Sequence, residues 1–513
     1  MPKRLLQIEK YSHKFRLITP NPDPPRVYAA LSYCWGASKP LNTTRSTLHL
    51  RERGIDWIDL PHTYQDAATV CIRLGIDYLW IDALCIVQDD KEDWADQCPQ
   101  MARIYRSAYI TIAAASSVGC QESFLAAPRQ SPIVMETETA DGYPSSVYIR
   151  RRIRSGIHYN EKQATFEGSY LTEPGSYGQV EPLEKRGWTL QEQDLASRRV
   201  VYVSGEVQWV CRTMTRCECL PKRRGLGQDF AVTPESAHFR WTETAHRLST
   251  RRFTYEKDKL PALSGIASEV YHATQSKYLA GLWMNDIQRQ LPWFTIAPKP
   301  FPESYIAPSF SWASVSSEVF WPHMMRLMAK PLEETEMENP EESQVQYLVT
   351  AISGDCSLST SDRFGQVLGG FIKLSGRIID SYIRSSPKFE IGYDSKYSNL
   401  EYGGLLCADG PLKQAILSSR GKSLITVQRS DKEKGQSFDW TPVKLLFLQR
   451  RCTPTSSADE PLGSFCFDAI VLGVSKLEPE YYQRLGLVIN IRLKDKSGDK
   501  DLIEDREECI VIS

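Results

Sequence analysis

The chain has 513 residues, too many for one ordinary core, so about two or three domains are expected. Hydrophobic residues make up 41% and charged residues 24%, the balance of a soluble globular protein. The formal net charge of −1 excludes a general basic field for nucleic acid, no apolar run reaches transmembrane length, and the stretch behind Met1-Pro2-Lys3-Arg4 is too short for a secretory signal.

The 13 cysteines are scattered and odd in number, which reads as buried or free thiols in a reducing compartment. Cys217-Glu218-Cys219 is the closest pair. It lacks a second pair or histidines at zinc spacing, so no metal site is assigned.

Residues 1–26 read as a lead-in punctuated by Pro20, Pro22, Pro24 and Pro25. Val27-Tyr28-Ala29-Ala30-Leu31-Ser32-Tyr33-Cys34-Trp35-Gly36 is rich in β-formers and ends on glycine, as a first buried strand would. A helix opens at Leu60-Pro61-His62. Tyr64, Ala67, Ala68, Cys71 and Leu74 recur at helical spacing, and Gly75 stops it. A strand over 77–82 follows. It delivers Asp82, Cys85, Gln88, Asp89 and Asp90 just past its end, where α/β folds bind ligands. The plainer reading of the same residues is that Asp82 caps a turn and Cys85 fills the core.

The next helix spans 90–108, with Trp94, Cys98, Met101, Tyr105 and Ala108 on one face. Tyr109–Ala115 is a third strand. Strand, helix, strand, helix, strand in this order predicts parallel pairing. Tyr148–Arg154 carries Arg150, Arg151, Arg152 and Arg154 and reads as a charged edge strand rather than a phosphate site. Pro182–Glu192 begins a short helix running to about Ser197. Arg199–Val203 and Val207–Cys211, joined by Ser204-Gly205, form a hairpin.

From 232 to 330 the pattern is helical and aromatic, with an amphipathic helix over 272–291 and a β-like run over 305–315. Residues 331–344 form an acidic linker. Strand-like runs at 367–379, 444–448, 467–474 and 487–493 make 345–513 a β-rich C-terminal region.

Three blocks then stand out together. They are Tyr28–Gly36, Leu79–Asp90 through Tyr105, and Arg186-Gly187-Trp188-Thr189-Leu190-Gln191-Glu192. In this order and spacing, residues 27–195 resemble the heterokaryon-incompatibility (HET) domain family of filamentous fungi. Lys257–Gly265 and Ala280-Gly281-Leu282-Trp283 resemble the region that follows that domain in many members. The resemblance implies a mainly parallel α/β core flanked by helices, extended over 196–330 by a hairpin and helices. It implies a cytoplasmic protein of fungal non-self recognition that triggers cell death, through self-association or with another incompatibility protein. The family has been likened to Toll/interleukin-1 receptor (TIR) domains, some of which cleave NAD with one glutamate. The Trp188-x-x-x-Glu192 spacing is similar to the glutamate-bearing helix of those enzymes.

Cleaving NAD, here a substrate and not a cofactor, needs a carboxylate beside the developing oxocarbenium ion, an aromatic wall and polar groups for ribose and phosphate. The blocks supply such a set. Glu192 is the candidate carboxylate, Tyr33 and Trp35 the wall, and Asp82 and Arg186 the ribose and phosphate groups. No G-x-S-x-G elbow occurs, and none of the eight histidines falls in the blocks, which disfavours a serine or cysteine nucleophile. The competing class is a non-enzymatic assembly module using the same surfaces.

Overall fold

The computed structural model describes residues 1–9, 14–21, 25–37, 40–128, 133–149, 180–218, 233–324, 345–384, 390–393, 401–409, 427–428, 439–452, 465–475, 480–494 and 507–513. The chain forms two compact units. The first is Met1–Val232 with Arg251–Phe253 and Ala262–Glu269; the second is Thr233–Thr250, Thr254–Pro261 and Val270–Ser513.

The first unit is built on a nine-stranded sheet. Its strands are β1 (Leu5–Glu9), β2 (Lys14–Ile18), β3 (Tyr28–Ser32), β4 (Ile55–Asp56), β5 (Tyr78–Trp80), β6 (Ile110–Ala113), β9 (Arg198–Val203), β10 (Glu206–Cys211) and β11 (Thr215–Cys217). The order across the sheet is β11-β10-β9-β6-β3-β5-β1-β2-β4. Between β5 and β9 in the chain lie also β7 (Ile133–Glu138) and β8 (Pro144–Ile149), which among the described residues pair only with each other.

The strands expected over 27–33, 77–82 and 109–114 are neighbours at the centre. β3 pairs in parallel with β5 and with β6, and β6 pairs in parallel with β9. Every residue of β3 and β6 is buried, as strands covered on both faces must be. The sheet as a whole is mixed, which corrects the expectation of a mainly parallel one. β1, β2 and β4 add antiparallel on one side, and β10 and β11 on the other. Part of the reason is the segment read as a lead-in. Leu5, Leu6, Ile8, Phe15 and Leu17 are buried core residues, and they draw Leu5–Glu9 and Lys14–Ile18 into the sheet.

The helices are α1 (Leu48–Arg53), α2 (His62–Leu74), α3 (Asp82–Cys85), α4 (Lys91–Gln97), α5 (Met101–Ser107) and α6 (Thr189–Leu195). α2 starts after Pro61 and buries Tyr64, Ala67, Ala68 and Cys71 as expected, while Leu74, expected on the same face, is exposed and Val70 is buried instead. The single helix expected over 90–108 is broken into α4, a 3₁₀ turn at Cys98–Gln100 and α5. Pro99 has no N–H to give the preceding turn, so the ladder cannot run through it. Cys98, Met101, Tyr105 and Ala108 face the core as expected, while Trp94, before the break, is largely exposed. The hairpin at Ser204-Gly205 forms as read, with Val203 opposite Glu206. Of the arginine-rich stretch 148–154, residues 148–149 lie in β8 and the arginines fall outside the described residues.

In the second unit a capped helix, Pro234–Ser249, precedes irregular aromatic chain. The helix expected over 272–291 is not continuous. Tyr278–Leu279 and Leu282–Trp283 form a small ladder around a turn at Ala280-Gly281. The carbonyl of Gly281 accepts from the indoles of Trp241 and Trp312, and this packing overrides helical propensity. The β-like run 305–315 contains a 3₁₀ turn at Trp312–Ser314 instead of a strand. The acidic linker 331–344 lies outside the described residues. Beyond it the region is β-rich as expected, a ten-stranded sheet in which Val349–Leu358 pairs with Val367–Arg384 and Asp439–Cys452 with Phe465–Val474. Among the described residues no helix is long and apolar enough to cross a membrane.

Candidate functional site

The carboxyl ends of β3 and β5 place their next residues side by side. β3 runs out through Ser32 into Tyr33, Cys34 and Trp35, and β5 into Asp82 at the start of α3. The loop after Trp35 is fixed by a close backbone approach. Gly36 has φ +85°, and a Cβ there would meet the Cα of Gly119 at 2.8 Å. Only glycine fits both demands.

Trp35 donates its Nε1–H to Asp82 Oδ2 at 2.9 Å. The Ala83 amide donates to Asp82 Oδ1 at 2.7 Å. Both carboxylate oxygens therefore have a donor. Behind them, Tyr33 and Tyr64 of α2 share a 2.6 Å hydroxyl–hydroxyl hydrogen bond, and their rings meet edge to face. The Tyr33 hydroxyl also lies close to Asp82. Burial and the neighbouring Asp82 push the Tyr33 phenol well above its ordinary range.

Arg186 and Glu192 come from the segment ahead of β9. A guanidinium nitrogen of Arg186 donates to the Tyr33 carbonyl. The Arg186 charge acts on both Asp82 and Glu192. Glu192 sits in α6 and is only 6% exposed. Burial raises its carboxyl from 4.5 to about 7, and the nearby Asp82 adds to the rise; the Ser32 and Tyr105 hydroxyls and Arg186 oppose it. Among the described residues the buried Ser32 hydroxyl has no well-aligned hydrogen-bond partner, yet it lies close enough to favour the Glu192 carboxylate. Tyr105 gives its proton to the Leu31 carbonyl at 3.0 Å and presents its oxygen region to Glu192. Asp82 is raised by burial as well, with Arg186, Trp35 and Ala83 opposing.

Tyr33, Trp35, Asp82, Arg186 and Glu192 thus belong to one connected cluster at the carboxyl end of the central strands. Trp35, Asp82 and Arg186 are half-buried, while Tyr33 and Glu192 are buried. Residues 28–192 match the family model described as Heterokaryon incompatibility protein (HET). Residues 28–192 are a HET domain. No curated protein and no solved structure matches the chain significantly.

Burial disfavours the nucleophilic thiolate at Cys34 and Cys85. It pushes Cys34 up to about 11 and Cys85 up to about 12 from an ordinary 9.0. Two surface concavities of the first unit lie elsewhere. One is lined by residues including Trp57, Pro61 and His62, the other by residues including Arg4, Arg45 and Asp93, and neither includes any of the five cluster residues.

Three groups in the cluster were not singled out as site residues from sequence. Tyr64 and Tyr105 read as core-face positions of helices. The available signal was that a buried tyrosine must place its hydroxyl against a partner, so a tyrosine on an apolar helix face aims a polar tip inward. The third is Arg251, which donates to the Arg186 carbonyl at 3.0 Å and comes from a distant segment that no local pattern connects to the motif.

Proposed function

We propose that the HET domain is the effector of a heterokaryon-incompatibility-type response and kills the cell by hydrolysing NAD. The observation that carries this reading is Glu192, a buried carboxyl raised to about 7 beside Asp82 and Arg186. A group that titrates near cellular pH both carries charge and accepts a proton.

The chemistry follows from those two abilities. The bond between the ribose carbon and the nicotinamide nitrogen breaks, and its electron pair leaves with nicotinamide, which becomes neutral. The Glu192 carboxylate faces the positive oxocarbenium ion that remains. Water attacks that carbon, and its proton passes to Glu192 and then to solvent. The products are nicotinamide, ADP-ribose and one proton. In this reading Trp35 provides a flat wall for an aromatic ring, held in orientation by Asp82. Arg186 supplies the cation for the pyrophosphate.

The test is NAD loss by purified full-length protein and by Glu192→Gln, across a range of protein concentrations. Removing the charge is expected to lower the rate about a hundredfold or more. A folded Glu192→Gln variant that cleaves at the wild-type rate refutes the role of Glu192. A wild type that leaves NAD intact at every concentration refutes hydrolysis and favours an assembly module that acts through homotypic or partner contacts.

A further inference from the structure

α6 buries six of its seven residues, and Thr189, Gln191, Glu192 and Gln193 among them are polar. Buried polar groups need partners. Three of the four find theirs in chain far away in sequence. Arg251 Nη1 donates to Thr189 Oγ1 at 2.8 Å, and its Nη2 donates to Gln193 Oε1 at 2.9 Å. The Gly265 amide donates to Gln191 Oε1 at 2.8 Å.

The contact reaches the backbone ahead of the helix as well. Arg251 Nη1 also donates to the Arg186 carbonyl at 3.0 Å. The Arg252 amide donates to the Lys185 carbonyl at 2.7 Å, and the Gly187 amide donates to the Arg252 carbonyl at 3.0 Å. Thr189 and Gln193 lie one turn apart on the same side of α6. Fixing both sets the rotation of the helix about its axis. That rotation decides where Glu192, on the neighbouring face, directs its carboxyl. The charges that act on Glu192 most are Arg186 and Asp82, so Arg251 works through position and not through its own field.

We propose that Arg251 is a positioning residue for Glu192, fixing the rotation of α6 and the path of Arg186 so that both side chains converge at the carboxyl end of β3. This rests on the reading of Glu192 as the reacting carboxylate. It adds a residue outside the matched segment 28–192 to the working site.

The experiment uses the full chain and compares wild type with Arg251→Met. The Glu192 carboxyl is followed by infrared difference spectroscopy across pH, with Glu192→Gln identifying its band. The groups facing it are Ser32 of β3, Cys34 just past β3, Tyr105 of α5, Asp82 of α3 and Arg186, and none of them is altered. In Arg251→Met, α6 is free to turn and water reaches Glu192, so its titration midpoint is expected to fall by about one pH unit or more. The NAD turnover number is expected to fall about tenfold or more with KM nearly unchanged. A contact that only adds stability would lower the melting temperature and leave the midpoint in place. A folded Arg251→Met protein with the wild-type midpoint overturns the proposal. If that variant does not fold, Thr189→Val removes the Oγ1 that accepts from Arg251, together with its own bonds to the Leu183 and Arg186 carbonyls, and its midpoint must move in the same direction. An unmoved midpoint there overturns the proposal equally. A wild type without NAD cleavage refutes the proposed reaction, and the titration then decides the positioning role by itself.

Discussion

Replacing Glu192 with glutamine removes a titrating group from a buried site while keeping its volume and its hydrogen-bonding reach. The folded protein holds the Glu192 proton up to about pH 7, against an ordinary 4.5. The folded state therefore binds that proton more tightly than the unfolded chain does. Stability is highest where both states are protonated and falls as pH rises through this window. The loss is complete above the folded value. At about 1.4 kcal/mol per pH unit, the window is worth about 3 kcal/mol. Glutamine resembles the protonated acid and carries no such loss. We expect Glu192→Gln to match wild type at about pH 4 and to exceed it by about 3 kcal/mol at about pH 8. Hydrogen exchange at the amides of Thr189–Leu195 reads this locally, after correction for intrinsic rates. Protection in the variant should exceed wild type by about a hundredfold at the higher pH. Equal protection at both pH values would refute the buried, proton-holding Glu192 on which the site rests.

Gly187 has no room for a side chain, because a Cβ there would lie 2.1 Å from the ring of Phe253. Gly187→Ala should cost about 1–3 kcal/mol in denaturant melts, and Gly187→Ala with Phe253→Ala should recover part of that loss. Arg4 holds Asp93 with two hydrogen bonds, at 2.9 and 2.7 Å, and also donates to the Cys85 carbonyl at 2.8 Å, tying β1 to the segment that follows Asp82. Burial alone would raise the Asp93 carboxyl, but Arg4, Lys3 and the Val87 amide outweigh it and hold it well below the usual range. Arg4→Met should therefore cost about 3 kcal/mol at neutral pH. The difference should shrink as pH falls below the ordinary aspartate value of 3.8, where the paired charge is progressively lost.

The central strands were legible because parallel strands covered on both faces must be mostly apolar, and Tyr28–Leu31 is so throughout and Ile110–Ala113 at every residue but Thr111. The outer strands were not. β1 and β2 are five residues each, and nothing local tells a half-buried antiparallel strand pair from a lead-in. The break at Pro99 was readable from chemistry, but strong periodicity on either side of it outweighed the proline. The turn at Ala280-Gly281 depends on the indoles of Trp241 and Trp312, groups about thirty to forty residues away that a local pattern cannot supply. Tyr33, Trp35 and Asp82 were legible as groups just past the ends of strands, while Arg186 and Glu192 were picked from the Arg186–Glu192 block, and the fold brings the five together. What holds them was hidden, since Tyr64, Tyr105 and Arg251 reach the site only through tertiary packing.

The two carboxyls of the cluster are both buried by the same fold, yet their environments divide them. Asp82 receives an indole N–H and an amide N–H, one on each oxygen, and these bonds favour its charged form. Glu192 has hydroxyls beside it, which give weaker support to a charge, and Asp82 stands near enough to repel one. Arg186 is the cation that acts on both, and it cannot fully neutralise two negative charges at once. Burial raises both carboxyls, and their hydrogen-bond surroundings are what differ. Asp82 Oδ2 fixes the Trp35 ring, and its Oδ1 is taken by the Ala83 amide. Glu192 keeps its oxygens free of strong donors, which is what a group must do if it is to gain and lose charge during a reaction.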